Sequence, residues 1–152
     1  MEDMVTGYLR FDIALLARRL AEVRRWLLTQ NESRNLGVGY FGSSTGAAAA
    51  LAAAAVDEPW IDAIVSRGGR PDLAGEAMAQ VRAPTLFIVG ECDLTVMELN
   101  KYALAEMRCE TELKVVPGAT HLFEETGALE AVARMAADWF RVHLHTHPEA
   151  GK

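Results

Sequence analysis

Only two cysteines, Cys92 and Cys109, occur in 152 residues. Two thiols do not make the disulfide framework of a small secreted domain, so they read as reduced, cytoplasmic residues. The start, Met1-Glu-Asp-Met, lacks a basic stretch followed by an apolar one, so no targeting peptide is expected. Positive charge is also short. The net charge is −6, which speaks against nucleic acid as a partner. No apolar run suits a membrane span, because the least charged stretch, 36–56, is rich in Gly, Ser and Ala and breaks at a turn. Internal repeats and linker-like segments are absent. A single domain over 1–152 is expected, with 1–10 and 146–152 flexible.

What is present is a core-forming composition, 51% hydrophobic. Asp12 is placed to cap a helix in which Ile13, Leu16, Leu20, Val23 and Leu27 recur at spacings of three and four. Arg10, Arg18, Arg19, Arg24 and Arg25 crowd the same region and read as its solvated face. After a loop at 31–35 come a strand at 36–41, an alanine-rich helix at 47–56 and a strand at 60–66. A turn at 67–72 leads to a short helix at 73–80. The apolar run 84–89 reads as a strand buried on both faces. A helix at 95–107, a strand at 112–116 and a helix at 129–143 complete the chain. The alanine helix is apolar all round and should be buried. Trp60, Phe87 and Trp139 read as core. The alternation predicts an α/β fold: three layers, α/β/α, around a short, mainly parallel sheet of about four strands.

The chain turns on Gly42-Ser-Ser-Thr-Gly46, where a strand runs into a helix. The G-x-S-x-G spacing selects Ser44 over Ser43 as an exposed nucleophile, with Gly42 and Gly46 allowing close strand–helix approach. In a parallel sheet, chemistry gathers on the loops after the strands. Those loops carry Ser44; then Arg67 and Arg70; then Glu91, Cys92 and Asp93; then His121. A serine needs a base to take its proton and a carboxylate to orient that base. Of the four histidines, only His121 lies on such a loop. Asp93 is preferred as the acid, with Glu91 the alternative, and both acids can also cap the next helix. Cys92 reads as packing. The Thr45 N–H, at a helix start, is placed as an oxyanion donor. Arg67 and Arg70 suit an anionic substrate, or are simply solvated turn arginines. His143, His145 and His147 read as a tail, with no metal site.

Four stretches carry a family resemblance: Gly-Tyr-Phe-Gly-Ser-Ser-Thr-Gly (39–46), Val-Ser-Arg-Gly-Gly-Arg-Pro-Asp-Leu (65–73), Ala-Pro-Thr-Leu-Phe-Ile-Val-Gly (83–90) with Asp93, and Val-Pro-Gly-Ala-Thr-His-Leu-Phe (116–123). The chain resembles the α/β-hydrolase superfamily, in its dienelactone-hydrolase-like branch, over 11–144. The resemblance implies a carboxylic ester hydrolase with Ser44 as nucleophile, Asp93 as orienting acid and His121 as base, without a cofactor. Dienelactone hydrolases proper carry a cysteine where this chain has Ser44. Family members also carry strands before the helix that here begins near Asp12, so the chain resembles the C-terminal part of the fold. That implies an exposed sheet edge at 36–41, suited to homo-oligomer formation, and an oxyanion hole lacking its second donor. A small-molecule ester is the implied substrate. The other reading is a catalytically weak chain that serves as a binding or assembly module.

Overall fold

The structure, a computed structural model, describes residues 8–56 and 60–147. Residues 57–59, directly after the expected alanine helix, and the outer parts of both termini lie outside the described residues. A one-turn 3-10 helix, Tyr8–Phe11, precedes α1 (Ile13–Thr29), which Asp12 caps through Oδ1 and the Leu15 N–H at 2.9 Å. Then follow β1 (Gly39–Ser43), α2 (Thr45–Ala54), β2 (Ala63–Arg67), a 3-10 segment (Pro71–Gln80), β3 (Thr85–Gly90), α3 (Leu94–Glu106), β4 (Thr111–Val116) and α4 (Ala128–His143).

The four strands form one parallel sheet in the order β1-β2-β3-β4. All six residues of β3 are buried, as its unbroken apolar run requires of a strand covered on both faces. Successive side chains alternate between the two covering layers. Tyr40, Ile64 and Phe87 pack with Leu51, Met78 and Ala103 on one side. Val65, Leu86 and Ile88 pack with Phe123, Val132, Ala136 and Trp139 on the other. The α2 alanines explain the first layer's tightness: Ala47 to Ala50 and Leu51 are at most 1% exposed. Side chains this small bring the helix close to the sheet, and α1 packs on its outside.

Several boundaries and burials differ from the sequence reading. β1 begins at Gly39, because the Val38 N–H is taken by the Asp62 carboxylate at 2.7 Å, and it runs on to Ser43. The short helix is a 3-10 segment broken at Gly75, whose φ is 55°. The α1 stripe is rotated: Ala21 and Arg24 are buried while Val23 is exposed. Arg24 therefore leaves the solvated set, and its Nε donates to the Trp60 carbonyl at 3.1 Å. Trp60 itself is 64% exposed, not core, because it precedes the start of β2. At the C-terminal end, the chain past α4 is held as far as His147. Its N–H donates to the Asn35 carbonyl at 2.8 Å, and its Nε2 lies 2.6 Å from Asp62 Oδ1.

Candidate active site

The turn between β1 and α2 places Ser44 at φ 52° and ψ −121°, a conformation that costs a non-glycine residue about 1–3 kcal/mol. Its surroundings hold it there. The Ser44 N–H donates to the Arg67 carbonyl at 3.3 Å, and the Ser44 carbonyl accepts from the N–H groups of Ala47 at 3.2 Å and Arg70 at 3.1 Å. Gly42 is required by close approach, since a β-carbon there would lie 2.6 Å from Ala47 Cα. Gly46 is not: a β-carbon there meets nothing within 4 Å. Thr45 opens α2, where backbone N–H groups point outward and favour negative charge.

On the far side of the sheet, the loops after β3 and β4 are stitched together. Glu91 Oε2 accepts from the Gly118 N–H at 2.7 Å. The Cys92 N–H donates to the Ala119 carbonyl at 2.9 Å. Thr120 donates to Glu125 Oε1 through its N–H at 3.0 Å and its hydroxyl at 2.6 Å. These bonds fix the segment that carries His121, whose Nδ1 lies 2.6 Å from Asp93 Oδ2. A carboxylate acceptor selects the tautomer protonated at Nδ1 and leaves a lone pair on Nε2. The two acids thus divide the work: Glu91 bonds the turn and Asp93 bonds the ring. Asp93 also caps α3, with Oδ1 accepting from the Val96 N–H at 3.4 Å. Its side chain is 13% exposed and that of His121 is 44% exposed.

Ser44 follows one edge strand of the sheet and His121 follows the other, with the end of β2 between them. A β-carbon on Gly68, the residue after Arg67, would lie 3.6 Å from His121 Cε1. No hydrogen bond joins the Ser44 hydroxyl to the imidazole; the two flank Gly68 with Nε2 unpartnered among the described residues.

The two arginines are not alike. Arg70 closes on Asp72 through two bonds of 2.9 and 2.8 Å, which hold the Asp72 carboxyl below its ordinary range and raise the arginine. Arg67 donates to Ser43 Oγ from Nε at 3.1 Å and from Nη2 at 2.6 Å, with Cζ 5.4 Å from the Phe123 ring centre. Neither is a bare solvated arginine. Ser43 and Phe123 escaped the sequence reading. The strand pairing that sets Ser43 beside Arg67 would have flagged the first. Nothing in the sequence flags the positive φ of 57° at the buried Phe123. Cys92 is exposed, not packed. Among the described residues, no three His, Cys, Asp or Glu side chains converge closely enough to hold a metal ion. No helix among them is long and apolar enough to cross a membrane.

A parallel sheet covered on both faces, with Ser44 on a strained strand–helix turn and an Asp–His pair on neighbouring post-strand loops, defines an α/β-hydrolase-like chain. Residues 7–146 match the model of the Dienelactone hydrolase family, and the chain belongs to that family. A dienelactone hydrolase from Anabaena variabilis is 51% identical, with a TM-score of 0.91 over 94% of this chain and 66% of its own. An α/β serine hydrolase homologue from Coxiella burnetii shares the fold at 21% identity and a TM-score of 0.65, over 80% of this chain and 57% of its own. Two Mycobacterium tuberculosis proteins, each provisionally named a phosphoribosyl transferase, are 59% identical over 134 residues. That match covers 88% of this chain but 30% of theirs. The chain therefore spans about a third of the curated relatives' length, and just under two thirds of the solved one.

Proposed function

We propose that this chain hydrolyses small carboxylic esters or lactones through an acyl-enzyme on Ser44. The observation that carries the reading is the 2.6 Å Asp93–His121 contact set beside the strained Ser44 turn. In this reading His121 Nε2 takes the Ser44 proton, and Oγ attacks the ester carbonyl. The oxyanion meets the Thr45 N–H at the start of α2. His121 then protonates the leaving alcohol and activates water to release the acid, while Asp93 holds the imidazole and stabilises its charged form. This chemistry calls for no metal or organic cofactor. The free thiols Cys92 and Cys109 support a reducing, cytoplasmic setting. The test is hydrolysis of a neutral chromogenic ester: wild type turns over, and Ser44→Ala and His121→Ala fall to background. A folded wild type with no turnover would sink the reading.

A second reading is favoured by the sheet edge. Among the described residues β1 has a strand on one side only, and Phe41 on it is 51% exposed. In this reading the chain is a hydrolase-derived module that acts only once further polypeptide, or a second copy, covers β1 and supplies another oxyanion donor. Light scattering that shows a dimer supports the second-copy form. A monomer at high concentration counts against it.

A further inference from the structure

We infer that Arg67 is a positioning residue, which couples the Ser44 turn to the His121 loop. The inference rests on the proposed hydrolase site and adds to it the part that sets its spacing. Ser44 follows one edge strand and His121 follows the other, with no bond between their side chains. Whatever fixes their separation must lie at the ends of β2 and β3. Past the end of β3 that part is Asp93. On β2 it is Arg67, whose side chain meets both halves. The register sets Arg67 beside Ser43, so the two side chains leave the same face of the sheet. The guanidinium fork closes on Ser43 Oγ with two bonds, and the Arg67 carbonyl accepts from the Ser44 N–H. The other side of the fork leans on the ring of Phe123, two residues beyond His121. Phe123 is a firm anchor: it is 1% exposed, and its N–H donates to the Thr120 carbonyl at 3.2 Å.

The chemistry asks for arginine. A planar fork can hold a hydroxyl edge-on while its face rests on an aromatic ring, and an ammonium cannot do both. Among the described residues Arg67 has no carboxylate partner, whereas Arg70 is closed on Asp72. Its guanidinium is directed at Ser43 and Phe123, so its effect on the site passes through them.

The test uses the full chain with Arg67→Met, Arg67→Lys, Ser43→Ala and the Ser43→Ala/Arg67→Met double variant. Two readouts are followed. The first is hydrogen exchange. In Arg67→Met, amides of 44–47 and 120–123 should both exchange about tenfold faster, as loss of a charged hydrogen bond and a ring contact implies, while β3 keeps its wild-type rate. Unchanged exchange at either segment overturns the inference, whether or not the wild type is active. The second is turnover of a neutral and a carboxylate-bearing ester. We expect kcat to fall about tenfold on both, with KM within about twofold, no full rescue by lysine, and a double variant no worse than Arg67→Met alone. A KM rise confined to the anionic ester, or full rescue by lysine, would instead make Arg67 a substrate clamp. Losses that add in the double variant would remove Ser43 from the coupling. A wild type without turnover overturns the hydrolase reading alone, and exchange still decides the role of Arg67.

Discussion

Replacing Asp93 separates two jobs that the structure assigns to one carboxylate. Oδ2 faces His121 Nδ1 at 2.6 Å, and Oδ1 accepts from the Val96 N–H at 3.4 Å to cap α3. Asparagine keeps the shape and an oxygen for the cap but loses the charge and can hold the wrong tautomer. In a fully buried triad that change costs about 10⁴ in kcat. Here the His121 side chain is 44% exposed, so water can partly support the ring, and a loss of about 10²–10³ is expected. That corresponds to roughly 3–4 kcal/mol of barrier. Asp93→Asn should therefore lose activity at a melting temperature within about 1 °C of wild type. Asp93→Ala should lose the same activity and also the cap. A 3.4 Å bond belongs at the weak end of caps, about 0.5–1 kcal/mol, or roughly 1–4 °C. Ester turnover and thermal melts at pH 7.5 measure both. Activity within about threefold of wild type in Asp93→Asn would refute the role of the charge. Equal melting temperatures for the two variants would refute the cap.

The two glycines of the turn should behave oppositely. Gly42→Ala drives a β-carbon into Ala47 and should both destabilise the protein and abolish turnover, whereas Gly46→Ala meets open space within a helix and should melt up to about 1 kcal/mol more stably. The Arg70–Asp72 pair has a signed pH dependence. Because the folded Asp72 carboxyl titrates below its unfolded value, the stability it adds is present above pH ~4 and is lost as pH falls through the folded pKa. Asp72→Asn should thus cost under about 1 kcal/mol at pH 7, given the pair's exposure, and less at pH 3, as melts at the two pH values would show. Iodoacetamide at pH 8 should modify the exposed Cys92 well before Cys109, whose thiol burial pushes up; intact mass followed by peptide mapping reads the order.

Much of this architecture was legible because it rests on local patterns. The apolar run at 84–89 could be covered only on both faces, and the alanine run could pack only where backbone approaches closely. The positions of Ser44, Asp93 and His121 after β1, β3 and β4 follow from topology alone. What escaped depends on partners far away in sequence. Arg24 looks like one more surface arginine until the Trp60 carbonyl is placed above it. Val38 looks like strand until Asp62 takes its N–H. Arg67 looks like a turn residue until the parallel register brings Ser43 beside it and the β4 loop brings Phe123. Gly46 looked sterically necessary because the motif contains it, yet the space around it is open.

The central claim is that Ser44 is an activated nucleophile, and a fluorophosphonate tests it most directly. The reagent needs only a nucleophilic serine and a base, whatever the natural ester is. Treated with it, the folded wild type should gain one adduct by intact mass, mapped to Ser44 in the 39–46 stretch. Ser44→Ala should gain none, and His121→Ala should label at least about 10²-fold more slowly. A folded wild type that stays unlabelled, or an adduct that persists in Ser44→Ala, would contradict the account.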